Sequence, residues 1–424
     1  MREMKDSGVA WIGEIPADWQ IVKFSRIASV KCNLVAPDDY LELPQISPEN
    51  IEKGSGKLLS YKTVEESGII SGNHLFHKGQ LLYSKIRPKL NKVCIAPFPG
   101  LCSADMYPIE SKQNIRFLMY CMLSDAFVGQ VSMITEDRVK MPKINQDELS
   151  SLLLAFPPTR PEQQAIANFL DSKCTEIDAV LEKTRTSIEE YKKLKQAIIT
   201  QAVTKGVRGD RPMKESGIEW VGAIPKNWDV RRIKSIGTYR NGLTYAPEDQ
   251  TDESGTLVLR SSNVQNGKLD FSNNVFVSCE IPAQLMVQKG DILICSRNGS
   301  RELIGKSAII DSDICASFGA FMMIFRCECP RYMYYLLNSN IFSVYLNTFL
   351  TTTINQLTGK NFGNMNVVYC PDAVEQDEIT SFLDRRCLEL DELIAKKISL
   401  ISSLESYKKS LIYEYVTGKK EVSV

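Results

Sequence analysis

The sequence predicts an α+β fold built twice in tandem, each copy a mixed strand-and-helix domain followed by one long helix. Three observations carry this prediction: an opening motif that returns about 210 residues on, a second repeated block late in each copy, and a three-or-four spacing of apolar residues along both copy ends.

The opening motif contains Ser7-Gly8-Val9-Ala10-Trp11-Ile12-Gly13-Glu14-Ile15-Pro16 with Trp19 close behind. It returns as Ser216-Gly217-Ile218-Glu219-Trp220-Val221-Gly222-Ala223-Ile224-Pro225 with Trp228 in register. All four tryptophans of the chain sit in this motif, and a packing role for them is expected. The second block, Glu162-Gln163-Gln164-Ala165-Ile166-Ala167-Asn168-Phe169-Leu170-Asp171, is answered by Glu375-Gln376-Asp377-Glu378-Ile379-Thr380-Ser381-Phe382-Leu383-Asp384. Cys174 and Asp178 are answered by Cys387 and Asp391, and Val203-Thr204 by Val416-Thr417. The boundaries that follow are a first domain over 1–158, its helix over 159–208, a second domain over 209–371 and its helix over 372–424. The polar, glycine-rich stretch Gly206–Pro212 links the copies.

The copy ends read as helices. Apolar or small residues fall at Ile166, Leu170, Cys174, Ile177, Leu181, Thr184, Ile188, Tyr191, Leu194 and Ile198 in the first. In the second they fall at Ile379, Leu383, Leu390, Ile394, Ile398, Ile401, Leu404, Leu411 and Tyr415, with Arg386 and Lys408 interrupting the seam. Thr159 with Glu162, and Asp372 with Glu375, fit a cap residue with a carboxylate three positions on. Pro157-Pro158 and Pro371 keep the helices from starting earlier, and Gly206 and Gly418 fit as stops. At about 1.5 Å per residue, about 40 residues make a rod of roughly 60 Å, too long for one small domain to cover. The two helices are therefore expected to pack on each other, with Ile177, Leu181, Ile188, Leu390, Ile394 and Ile401 between them. The alternative is that each docks only on its own domain.

The middles, roughly residues 20–156 and 229–369, read as mixed strand and helix. Gln80–Ser84 and Asp291–Cys295 are β-rich runs that each follow a Lys-Gly pair, so the two middles share a fold. Apart from such landmarks they diverge, as expected of one architecture presenting two recognition surfaces.

With 43% apolar and 24% charged residues, the composition excludes disorder and collagen-like structure. No apolar run approaches the roughly 18 residues of a membrane span, and Met1–Asp6 lacks a secretion signal, so no membrane partner and a cytoplasmic location are expected. The twelve cysteines are scattered from Cys32 to Cys387 without a C-x-x-C pair and read as free, mostly buried thiols. His74 and His77 have no cysteine at a zinc-ligand spacing, so no metal site is expected. Lys and Arg number 51, as do Asp and Glu. Contact with nucleic acid must therefore come from local patches or partners.

The motif Met213–Trp228, the tail Phe156-Pro157-Pro158-Thr159-Arg160-Pro161-Glu162-Gln163-Gln164 and the ending Gln201-Ala202-Val203-Thr204-Lys205-Gly206 resemble the specificity (S) subunit of a type I restriction-modification system, across both repeats. Only Pro371-Asp372-Ala373-Val374 departs, where a proline pair is usual. The resemblance implies two target-recognition domains, each reading one half of an asymmetric, bipartite site in double-stranded DNA. It implies that the two helices pair as an antiparallel coiled coil and dock two methyltransferase (M) subunits, and that restriction (R) subunits join them. Adenine methylation or restriction would be carried out by those partners, which would hold S-adenosylmethionine, ATP and magnesium. This chain would hold no cofactor and no catalytic residue.

The residues agree with that expectation. No Asn-Pro-Pro-aromatic motif is present, and the nearest Walker-like run, Ser300–Ser307, leads into Ala308-Ile309-Ile310, which reads as a strand and offers no helix N-terminus to phosphate. Gly54-Ser55-Gly56-Lys57 reads as a turn. Two other classes stay open at this point: a fused enzyme with its own methyltransferase or nuclease activity, and a coiled-coil scaffold that binds only protein.

Candidate DNA contacts follow from chemistry. Lys78, Lys85, Arg87, Lys89 and Lys92 form a stretch with no acidic residue before Asp105, suited to phosphates, and arginine also pairs with guanine. A solvated lysine loop is the alternative. Arg138, Lys140 and Lys143 make a smaller cluster. In the second copy Arg297, Asn298, Ser300 and Arg301 follow the strand that corresponds to the one before Lys85. From Ser343 to Tyr369 there is no carboxylate, and Thr352, Asn355, Lys360 and Asn361 gather there, suited to phosphates and base edges or else to a polar turn. Asn241 and Tyr245 complete the set.

Overall fold

The computed structural model describes residues 2–138, 140–349 and 355–422. It divides into two compact units, Met1–Arg185 with Ile398–Val424, and Thr186–Lys397. Each unit holds one strand-and-helix domain together with part of each long helix.

In both units the opening motif is a small antiparallel hairpin, Met4–Asp6 against Glu14–Pro16 and Met213–Glu215 against Ala223–Pro225. Gly8, Gly13, Gly217 and Gly222 take φ between +68° and +72°, a region that a β-carbon disfavours, which explains why these glycines recur in register. The next strands, Gln20–Lys23 and Asp229–Arg232, pair with Leu153–Phe156 and Asn366–Tyr369, the strands that lead into the long helices.

Each middle is built on a four-stranded antiparallel sheet. In the first unit its order is Val93–Ile95, Leu81–Ser84, Met106–Ser111, Ala28–Val30. In the second it is Gly237–Asn241, Met322–Cys327, Ile292–Cys295, Ser307–Ile309. Both faces of the central strands are buried, and alternate side chains go to different cores. Leu81 and Tyr83 join the helical core, while Leu82 joins the core shared with a second, five-stranded sheet. Ile292 and Ile294 likewise part company with Leu293 and Cys295. This is why both strands read as unbroken apolar runs.

The long helices span Arg160–Lys205 and Ala373–Val416, and Gly206 and Gly418 end them at φ +76° and +73°. Thr159 accepts from Glu162 N–H at 3.4 Å, and Asp372 from Val374 N–H at 3.0 Å. The expected reach of the two glutamates back to the cap is replaced by a different contact. Glu162 accepts from the Trp19 indole N–H at 3.1 Å and from Arg2 at 2.7 Å. Glu375 accepts from the Trp228 indole N–H at 3.2 Å and from Arg211. The repeated tryptophans and glutamates thus fasten each opening hairpin to the start of its helix. Trp19 and Trp228 are buried, whereas Trp11 and Trp220 are about half exposed.

Within each unit the two helices run side by side and antiparallel. In the first, Phe169 meets Tyr415 at 4.4 Å between ring centroids, Asp178 meets Lys408 at 2.7 Å and Arg185 meets Glu405 at 2.8 Å. In the second, Lys397 lies 5.6 Å over the Tyr191 ring and Lys195 is 2.7 Å from Asp391. Ile177 and Leu181 share a core with Leu411, Ile412, Tyr415 and Val416, and Ile401 packs against it. Ile188 and Leu390 are buried in the second unit and Ile394 is half-buried.

The seam departs from the expected one at three places, each by a single residue. Leu194 and Ile398 are 45% and 55% exposed, and their neighbours Lys195 and Lys397 turn inward instead. Cys387, not Arg386, is the buried residue, so the seam is not interrupted there; Arg386 pairs with Glu389 on its own helix. In the second helix the inward residues Leu383, Cys387, Leu390, Ile394, Lys397 and Ile401 follow one another at alternating steps of four and three, a regular heptad, so position along the seam, and not apolarity alone, decides which side chain turns inward.

Candidate nucleic-acid interface

In the second unit the loops at one end of the strands enclose a cleft of about 1070 Å³. Its wall is formed by Leu243–Tyr245 after the strand Gly237–Asn241, by the turn Arg260–Ser262, by Arg297–Gly299 after the strand Ile292–Cys295 and by Gly319–Met322. Asn273 and Asn355 complete it. Tyr245, Arg297, Asn298 and Asn355 are therefore brought together. Tyr245 packs on the small core of Leu243, Val258 and Val277. Asn298 donates to Ser261 Oγ at 3.0 Å and accepts from Ser300 N–H at 3.0 Å, so both ends of its amide are engaged. Asn355 donates to Gly299 O at 3.3 Å. Arg297 lies 5.2 Å over the Phe321 ring, which is 58% exposed.

The other candidates of this unit lie outside the cleft lining. Arg301 donates to Asn347 Oδ1 at 3.2 Å, and Ser300 is exposed beside it. Asn241 is exposed at the end of its strand. Lys360 and Asn361 belong to a short helix, Gly359–Asn364, capped by Thr358. Thr352 lies outside the described residues.

Lys306, the lysine of the Walker-like run, donates to Ser261 O at 2.6 Å and Val264 O at 2.9 Å. It holds the turn that lines the cleft, and a strand, Ser307–Ile309, follows it. Sequence reading missed Arg260 and Phe321. Arg260 reaches Asn273 Oδ1 at 3.3 Å through Nη2, while its buried Nε finds no partner among the described residues. Phe321 stands in an apolar run, Phe318–Phe325, where nothing local separates an exposed ring from a core one.

In the first unit the corresponding loop carries different chemistry. Lys85 is half-buried with its ammonium 5.5 Å over Tyr107, and Arg87 is exposed at φ +45°, at the head of the turn Pro88–Leu90. Lys89 is exposed, and Lys92 is turned inward, donating to Pro48 O at 2.7 Å. Arg138 is neutralised by Glu148, whose pKa it lowers by hydrogen bonding, and Lys143 pairs with Asp105 at 3.1 Å. Of the smaller basic cluster Lys140 is left exposed without an ion pair among the described residues. The twelve cysteines are free, and most are buried; Cys94 is pushed up to about 12 by burial, out of reach of thiolate chemistry.

Bonding patterns match between the units even where the residues differ. Lys85 N–H donates to Asp105 O as Ser296 N–H does to Phe321 O, and Ile86 bridges Lys143 as Arg297 bridges Gln356. Lys92 and Lys306 hold equivalent turns. One frame thus presents unlike side chains at matched positions, the property of a protein that binds two different segments of one kind of ligand.

That class is matched by sequence. The family described as type I restriction modification DNA specificity domain matches residues 16–190 and again 225–402, and the chain belongs to it. The chain is 36% identical over 227 residues to the type I restriction enzyme EcoDI specificity subunit of Escherichia coli, a match covering 53% of this chain and about half, 51%, of that one. It is 24% identical to the MjaVIII specificity subunit of Methanocaldococcus jannaschii over 96% of this chain and 94% of the relative. The fold is shared with a chain from a structure of the type I R-M system, at TM-score 0.76 and 15% identity, covering 96% of this chain and 99% of the other. It is also shared with the HsdS subunit of Thermoanaerobacter tengcongensis, at TM-score 0.52 and 15% identity, covering 96% and 98%.

Proposed function

We propose that the chain is the DNA-reading specificity subunit of a type I restriction-modification complex. Each middle domain binds one half of a bipartite, asymmetric site in double-stranded DNA, and the partners methylate adenine or cleave. The observation that carries this reading is the matched pair of frames with unlike loops: Lys85, Ile86 and Asp105 in one unit stand where Ser296, Arg297 and Phe321 stand in the other. A repeated frame supports two similar docking geometries, and different side chains at equivalent points support two different sequences.

On this reading the chain is not itself an enzyme. S-adenosylmethionine, ATP and magnesium belong to the partners, two methyltransferase subunits and the restriction subunits, and the complex works in the cytoplasm. The engagement of Lys306 with two backbone carbonyls supports a structural role for the Walker-like run. The test is sequencing of methylated adenines in cells with and without this gene. The expected result is one split, asymmetric motif that disappears with the gene. A continuous or palindromic motif, or methylation by the purified chain alone with labelled S-adenosylmethionine, would overturn it.

A further inference from the structure

Arg297 stands alone among the cations around the cleft of the second unit. Arg260 donates to Asn273, Arg301 to Asn347 and Lys306 to Ser261 and Val264. The Arg297 guanidinium makes no hydrogen bond and no ion pair among the described residues, and the residue is exposed. Yet its backbone is held firmly. Its N–H donates to Phe321 O at 3.1 Å, the preceding Ser296 binds the same oxygen through N–H at 2.9 Å and Oγ at 3.0 Å, and Arg297 bridges Gln356. The side chain then lies 5.2 Å over the Phe321 ring, which the fold leaves 58% exposed. A fixed backbone and an aromatic platform together orient a planar donor fork with its edge unoccupied.

We propose that Arg297 reads a guanine in the DNA half-site bound by the second unit, with Phe321 as the platform that holds the guanidinium plane. Guanine presents O6 and N7 in the major groove at the spacing of two parallel guanidinium N–H groups. A lysine cannot reproduce that fork, and stacking reduces the freedom lost on pairing. The first unit cannot do this at the matched place. Ile86 stands where Arg297 does, and Asp105, in the position of Phe321, is paired with Lys143 at 3.1 Å. Guanine reading from this position is thus a property of one half-site only.

The inference rests on the reading of the chain as a DNA specificity subunit, and the test separates the two. The complex of the full chain with its methyltransferase partner is titrated with duplexes carrying its methylation site, and with a random duplex. The guanines of the second half-site are replaced one at a time by 7-deazaguanine, which lacks the N7 acceptor. One such replacement should weaken wild-type binding roughly 10-fold or more. Arg297→Ala should lose about as much on the natural site and become insensitive to that replacement, with random-duplex binding little changed. Arg297→Lys, whose ammonium can reach the same acceptors but lacks the planar fork stacked on Phe321, should fall between wild type and the alanine variant. Phe321→Ala should show a smaller loss, restored by Phe321→Tyr. Because Arg297 is exposed, thermal melts of the variants should overlay that of the wild type. Equal weakening on site and random duplex, with the 7-deazaguanine effect intact, would make Arg297 a phosphate contact and overturn the proposal. So would a second half-site without guanine on either strand. Failure of the wild-type complex to prefer any duplex would instead overturn the specificity-subunit reading.

Discussion

Lys408 Nζ lies 2.7 Å from Asp178 Oδ1 on the facing long helix, with the two side chains 13% and 19% exposed. Lys57, from the domain, reaches the other oxygen at 2.8 Å. In the second unit Lys195 and Asp391 make the same pair at 2.7 Å with the roles of the helices exchanged. The pair explains why a lysine sits in an otherwise apolar seam. It is a polar layer with its own partner, and it ties a helix position to a register.

This layer predicts an acid-sensitive term. Burial opposes ionisation of Asp178, but hydrogen bonds from Lys408 and Lys57 outweigh it and hold its pKa below the ordinary 3.8. A carboxylate with a depressed pKa stabilises fully above its unfolded value, and the contribution is lost as pH falls through the folded one. Asp178→Asn should therefore lower stability by about 1–3 kcal/mol near neutrality. The gap to wild type should close as pH drops below about 3.8. Thermal melts of both proteins between pH 3 and 7 measure this, and a gap that stayed constant would show that the charge plays no part.

Glu375 offers a second prediction. It is fully buried, accepts from Trp228 at 3.2 Å and pairs with Arg211, whose guanidinium lies 5.1 Å over the same indole. Glu375→Gln keeps the shape but leaves Arg211 without its anion, and should cost about 1.5–3 kcal/mol. Trp228→Phe removes the indole N–H as well as part of the buried ring, and should cost at least as much. Denaturant melts of the full chain give both values, and an unchanged stability for Glu375→Gln would place the fastening in packing alone.

The frame was legible in the sequence because its parts recur. Gly8 and Gly13 return as Gly217 and Gly222 for a backbone reason, and Trp19 and Glu162 return as Trp228 and Glu375 because each pair is one contact. Partners distant in sequence were not legible. Lys408 looked like an interruption because Asp178 is 230 residues away. The cleft was half legible. Arg297 and Asn298 stood out as polar residues after a strand, whereas Phe321 was hidden in a turn between two apolar strands that are buried on both faces and show no alternation.

The lysines that hold the recognition turns should separate the two half-sites. Lys306→Met removes donors to Ser261 O and Val264 O but keeps the buried stem, and should loosen the turn lining the cleft. Tolerance of mismatches should rise in the second half-site and stay unchanged in the first. Lys92→Met, which frees Pro48 O, should do the reverse. Methylome sequencing of cells carrying each variant with the methyltransferase partner reads both effects at once. Relaxation of the same half-site by both variants would contradict the assignment of one half-site to each unit.

Exchange of a whole middle should move specificity as a block. Gln20 and Phe156 pair across the antiparallel strands at the base of the first domain, so the two ends of the exchanged segment are neighbours and a graft need not stretch the chain. Residues 20–156 also contain their own core of Ile46, Ile51, Phe76, Leu82, Cys94 and Met106, which no residue of the long helices joins. The fastening of Trp19 to Glu162 lies outside the segment and is kept. The graft must preserve the apolar residues that face the helices, since Phe24, Phe117 and Phe156 share a core with Ile166 and Leu170. Losing one such contact typically costs about 2–5 kcal/mol, enough to unfold a marginal graft. With those positions retained, a middle taken from another member of the family should change one half of the methylated motif completely and leave the other half as it was. A graft that methylates and alters both halves would mean that the two middles read DNA as one surface.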